Sequence, residues 1–202
     1  MNFVASAAAQ PDELRASLAI NIATLLTICC WIFILIVIVT RFSASLRTKF
    51  DELFFPKARI LLWLIPTTAM AFSLYFSEAL DFIPCKLCWV QRAFMYPLAF
   101  FMLLNLIKAN KVMRYIATIM ATFGALVAIY HATIEKFPNW ESTECDPSVP
   151  CTQVWFETIK FIKIGDYSQG LLTIAGMSFT AFVTVLVILF ITKEKKKEVA
   201  NG

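Results

Sequence analysis

The stretch FIPCKLCWVQRAFMYPLAFFMLLNLI, residues 82–107, holds two cysteines, one arginine and then fifteen residues with no charge. Its second half, about Trp89 to Ile107, is long and apolar enough to cross a bilayer as a helix, which takes about 20 such residues. Pro97 inside it does not split the run, because neighbouring helices in a membrane re-satisfy the freed backbone groups. Cys85 and Cys88 stand at the mouth of this run, and Arg92 lies one helical turn beyond Cys88 on the same face.

Working outward, four further runs have the same character. They are Leu18 to Thr40, Ile60 to Ser77 (interrupted by Pro66), Val112 to Thr133, and Leu171 to Thr192. The composition agrees: 59% of the 202 residues are hydrophobic and only 16% are charged, too apolar for a soluble domain of this length. The pattern predicts an all-α integral membrane protein. Run one lacks the basic flank and short core of a signal peptide and is read as a retained helix. The net charge of +4 is modest and the five glycines leave little room for a phosphate loop. Nothing points to nucleic acid.

Twelve of the 18 basic residues fall in three segments: Arg41 to Arg59, Lys108 to Arg114, and Lys193 to Lys197. With five spans, all three lie on one side of the membrane. By the bias of Lys and Arg toward cytoplasmic loops, the N-terminus is expected outside and the C-terminus inside. The other two connections, Glu78 to Cys88 and about Ile134 to Gly170, then face outward, and they hold Cys85, Cys88, Cys145 and Cys151. Disulfides persist on that side of a bacterial cytoplasmic membrane. Cys29 and Cys30, inside run one, read as small packing residues.

Three readings of the outer cysteines compete: structural staples, a four-thiolate zinc site, and a pair of exchanging disulfides. The tight C-x-x-C ring favours exchange chemistry, and Pro84 before the helix start gives Cys88 a helix N-terminus that favours its thiolate. Zinc is weaker because CDPSVPC spaces its cysteines by five residues, so no metal is expected.

An ionisable residue within a span is a candidate functional residue. Arg92 has a counterpart at the outer end of the fourth run, where His131 and Glu135 stand at i and i+4; His131 is the only histidine. A cation, an imidazole and a thiolate around an apolar space suit a lipid-soluble acceptor with carbonyl oxygens, such as a quinone. In QVWFETIKFIKIG the polar residues Gln153, Glu157, Lys160 and Lys163 form a helical stripe, read as a short amphipathic helix in the outer interface.

The string CKLCWVQR, the helix ending YHATIE, then CDPSVPC and an amphipathic stretch resemble the DsbB family of bacterial thiol–quinone oxidoreductases. The short loop resembles the members called BdbC. The resemblance spans about Leu61 to Thr192. It implies a four-helix catalytic bundle at 60–192, preceded at 1–59 by an extra transmembrane helix and a basic cytoplasmic loop and followed at 193–202 by a basic tail. It implies reoxidation of a DsbA-like thioredoxin-fold oxidase, with electrons passed to a membrane quinone, ubiquinone or menaquinone. Cys88 would meet the quinone, with Arg92, His131 and Glu135 as the candidate quinone-site residues. Cys145 would be attacked by the partner, and Cys151 would resolve and exchange with Cys85. The rival readings are a VKOR-like quinone reductase and a membrane scaffold with structural disulfides.

Overall fold

A computed structural model describes residues 11–141, 145, 148–154, 162–164, 167–169 and 172–201. The long helices are α1 (Pro11–Arg41), α2 (Ala44–Glu78), α3 (Lys86–Ile107), α4 (Lys111–Lys136) and α5 (Ile174–Asn201). All five are long and apolar enough to cross a membrane, as the sequence predicts. Pro66 and Pro97 lie inside continuous helices.

α2 through α5 form the bundle, with α2 against α3, α3 against α4, α4 against α5, and α5 closing on α2; α1 packs across α2 and α5. α4 packs extensively against both α3 and α5. Buried Ala117, Ala121, Gly124, Ala125 and Ala128 give α4 a seam of small residues, which lets backbones come near each other without a polar bond. At Gly124 a Cβ would overlap the Phe182 ring. The same seam continues to buried His131, so packing fixes how that histidine is aimed. The turn from α3 to α4 is tight: Asn105 Oδ1 accepts from the Asn110 N–H at 3.2 Å, and Asn110 caps Val112 N–H at 2.8 Å.

Two features differ from expectation. α2 starts at Ala44 rather than near Ile60. Its 35 residues make a rod of about 52 Å, against about 30 Å of hydrocarbon. The charged stretch before Ile60 is helical because Phe50 and Phe54 stack on one face, with centroids 5.3 Å apart, and Phe54 meets Phe33 of α1 at 5.2 Å. Arg41 and Asp51 pair across the same hairpin at 3.3 Å. The boundary drawn at residue 59 thus falls inside a continuous helix.

The second difference concerns the amphipathic stretch. Residues 155–161 of it lie outside the described residues, but Ile162–Ile164 is a strand (β1) paired antiparallel with Tyr167–Gln169 (β2). The helical stripe therefore does not extend through Lys163. Two β-branched isoleucines flank that lysine in strand alternation, which outweighs the helical spacing there.

α2 ends in a turn that sets up the cysteine helix. Asp81 takes a left-handed φ of 54°, which a short polar side chain tolerates, and Phe82 N–H bonds back to the Phe76 carbonyl at 3.0 Å. The chain then runs extended into Cys85.

Candidate functional site

Cys85 is the N-cap of α3, and its sulfur accepts the Cys88 N–H at 3.3 Å. That bond satisfies one of the orphan donors of the first turn. The two sulfurs are 3.0 Å apart, within hydrogen-bonding distance. The Cys88 hydrogen bond is the main force holding the Cys85 thiol down to about 4, against burial and with help from His131. The helix starts at Lys86 and its Cys88 N–H points at Cys85 Sγ, so the first turn favours a thiolate at Cys85, whereas the sequence predicts one at Cys88.

His131 is 2% exposed and sits against this pair. Its Nε2 is 3.6 Å from Cys85 Sγ and 3.1 Å from the Cys151 carbonyl oxygen. Gln91 Nε2 lies 2.8 Å from His131 Nδ1. With Gln91 donating, Nδ1 accepts and the ring proton sits on Nε2, aimed at Cys85 and Cys151. Glu135 lies 3.8 Å from His131 Nε2 and accepts from the Thr173 hydroxyl at 2.6 Å. Thr173 in turn accepts from Gly176 N–H in the first turn of α5.

Cys145 and Cys151 form a disulfide. Cys151 is fully buried and packs in one cluster with Cys85, Leu87 and Ile134, whereas Cys145 is half-buried at the edge of that cluster. Cys85, Cys88 and His131 also offer three ligand atoms within 4.8 Å of one another.

Cys88 has a second neighbourhood. With Gln91 and Arg92 it lines a cavity of about 380 Å³ between α1, α2, α3 and α5. Arg92 is 8% exposed and does not reach out to the surface. Its Nε donates to Ser73 Oγ at 2.9 Å and one terminal nitrogen donates to the Ser73 carbonyl at 2.8 Å, while the guanidinium lies 5.1 Å from the Trp89 ring centre. The arginine is thus turned inward and locked to α2. Tyr96, one turn deeper, lines the same cavity. Its hydroxyl is buried and has no hydrogen-bond partner among the described residues.

The seven residues singled out in the sequence thus fall into two centres. Arg92 borders the cavity. His131 and Glu135 are not among the described residues lining it; they border a narrow cleft with Cys85, Pro150 and Gln153. Gln91, between the centres, and Tyr96 were missed. Both are polar residues within a span, a signal the sequence does carry.

Known proteins match this chain. Residues 56–192 fit the family model described as disulfide bond formation protein DsbB. Disulfide bond formation protein C of Bacillus subtilis is 33% identical over 138 residues, 67% of this chain and 92% of the relative. A protein of Bacillus anthracis named "Probable disulfide formation protein C 2" is 32% identical over 136 residues, 67% of this chain and 90% of the relative. One of Halalkalibacterium halodurans, "Probable disulfide formation protein C", is 34% identical over 137 residues, 66% of this chain and 91% of the relative. No solved structure matches.

Proposed function

We propose a function from one premise: the chain belongs to the DsbB family of disulfide bond formation proteins. It is a thiol:quinone oxidoreductase of the bacterial cytoplasmic membrane. It accepts electrons from a thioredoxin-fold dithiol protein of the DsbA kind and delivers them to a membrane quinone. One observation carries this reading. The Cys85–Cys88 pair borders both centres, with Cys85 packed against Cys151 and Cys88 on the cavity.

The cavity suits a quinone. One end is polar, with Cys88, Gln91 and Arg92, and the orphaned Tyr96 hydroxyl offers a further donor for a carbonyl oxygen. The rest is mostly apolar, as an isoprenoid tail requires. A quinone bound there would supply a sink for two electrons and two protons.

The protein's own residues divide the work as follows. A partner thiolate attacks Cys145, the more accessible sulfur, and the Cys145–Cys151 bond breaks with Cys151 leaving as thiolate. Cys151 attacks Cys85 of the oxidised Cys85–Cys88 pair, and Cys88 leaves toward the cavity. The partner's second thiol releases Cys145, and Cys145 then displaces Cys85 from Cys151, restoring the Cys145–Cys151 bond. Cys85 is left as thiolate and Cys88 as thiol. Reoxidation joins their sulfurs again, releasing two electrons and the Cys88 proton at the cavity wall; the second proton that a quinone would take up comes from water, into which the partner's attacking thiol has lost its own. His131 Nε2–H, facing Cys85 and the Cys151 carbonyl, steadies charge as sulfur bonds exchange there. Arg92 orients the acceptor from its fixed seat on Ser73. The orientation that fits is N-terminus outside, C-terminus inside, with all four of these cysteines outward.

The test adds a reduced DsbA-like protein and decylubiquinone to the purified protein and follows quinone absorbance. Loss of one quinone per partner dithiol is expected. An unchanged absorbance, with zinc bound mole for mole and the thiols protected from alkylation, favours the Cys85–Cys88–His131 trio as a metal site instead.

A further inference from the structure

α1 (Pro11–Arg41) lies wholly before the family-matched region, residues 56–192, yet it contributes a full side of the cavity. Ala23, Leu26, Thr27, Cys29, Cys30 and Phe33 all line it. Their spacings of three, one, two, one and three residues make a single stripe on one helical face. Leu25, Leu35, Ile36 and Val39 of the same helix are exposed in the way a lipid-facing surface is. α1 therefore covers the groove between α2 and α5, to both of which it packs.

The slot it covers is elongated. From Ala23 to Phe33 on α1 and from Ile174 to Ile188 on α5, it extends about 15–20 Å. Its cationic and amide groups, Arg92 and Gln91, stand at one end. Farther along, the Thr27, Thr180 and Thr184 hydroxyls donate to carbonyls of their own helices, at 2.8, 2.9 and 2.7 Å, which leaves the wall there largely hydrocarbon. The far end is Phe33, Leu61, Ile65 and Ile188. A ring alone would leave that end unfilled; a ring with a long apolar tail would use it.

We propose that α1 is the tail-binding wall of the acceptor site, and that Cys30 on it sets the room for the isoprenoid tail of the quinone. This rests on the quinone reading above. Cys30 is half-buried, lines the slot together with Thr184 of α5, and stands midway along it. It is a specificity-determining residue on an element that the family match does not include.

The test compares decylubiquinone, which has a tail, with duroquinone, which has none, in the full-length protein. Cys30→Trp overfills the slot and raises the KM for decylubiquinone about tenfold, leaving the KM for duroquinone within about twofold. A second measurement needs neither turnover nor a bulky variant. In Cys29→Ala protein, alkylation of Cys30 by N-ethylmaleimide is read by peptide mass spectrometry. Decylubiquinone slows it several-fold and duroquinone does not. Equal shifts for both quinones, or no protection of Cys30 by decylubiquinone, overturns the proposal. If the unmodified protein reduces neither quinone, the functional reading falls by itself. The protection experiment then decides alone: protection by the tailed quinone keeps the wall, and its lack removes it.

Discussion

Cys85 and Cys88 stand on the first turn of α3, tied by a backbone N–H and by each other, whereas Cys145 and Cys151 lie in a segment with neither helix nor strand among its described residues. The first pair is positioned by secondary structure. The second is positioned by its own covalent bond and by the burial of one member, Cys151, against Cys85. A helix start can tune a sulfur electrically, because its free N–H groups point at a fixed place. A loop cannot do so to the same degree, but it can present a sulfur to a large partner. The two pairs therefore suit different steps.

Breaking either pair has the largest expected effect. Cys88→Ser and Cys145→Ser both abolish turnover, but they fail differently. Cys88→Ser still forms a mixed disulfide with the partner protein, and Cys145→Ser does not. Non-reducing gels with reduced partner check this. A complex trapped by Cys145→Ser would show that the half-buried sulfur is not the entry point.

The next effect sharpens the cavity side alone. Arg92 is forked onto Ser73 through two nitrogens, and lysine has one nitrogen and no fork. Losing charge-assisted hydrogen bonds of this kind typically costs about 1.5–3 kcal/mol, so Arg92→Lys raises the KM for quinone about 10- to 100-fold. Exchange at Cys145 stays near normal. An unchanged quinone curve would reduce the arginine to a structural clasp.

Tyr96→Phe follows with about a fivefold rise in the same KM, one neutral hydrogen bond being worth about 1 kcal/mol. Its thermal stability in the absence of quinone holds or rises, since the lost hydroxyl had no partner among the described residues. A clear drop in stability without ligand would mean that the hydroxyl serves the fold.

The smallest effect is on titration. The Cys85 thiol is lowered to about 4, so its thiolate is present above that pH and is lost as pH falls through it. Cys88→Ala removes the principal cause and moves the thiolate inflection, read by ultraviolet absorbance, upward toward the ordinary thiol range.

Hydropathy made the five helices readable, and CKLCWVQR made the helix start and the family resemblance readable. What stayed hidden has physical reasons. Hydropathy gives a residue's depth in the membrane but not its rotation about the helix axis. Arg92 and His131 share the cysteine end yet face different spaces, with Gln91 between them. The thiolate assignment hinges on whether Cys85 is the N-cap or the first helical residue, a difference of one residue that sequence signals rarely fix. The early turns of α2 look like a charged loop until Phe50 and Phe54 find Phe33 across the hairpin. Tyr96 reads as one more aromatic in an apolar run; only the cavity shows that its hydroxyl has no partner among the described residues.

The burial gradient among the sulfurs also works as insulation. Cys85 is 6% exposed, Cys151 is fully buried, and Cys88 opens on a cavity within the bundle. On the proposed path a small thiol would reach Cys145 before the buried Cys85 and Cys151, and to run electrons to the acceptor by itself it would have to cleave the bond there and wait for Cys151 to pass them on. A protein bound at Cys145 would hold it in mixed disulfide during that wait, while a freely diffusing thiol would be displaced when Cys151 swings back. The packing that hides Cys85 and Cys151 would thus keep small reductants from short-circuiting the proposed path.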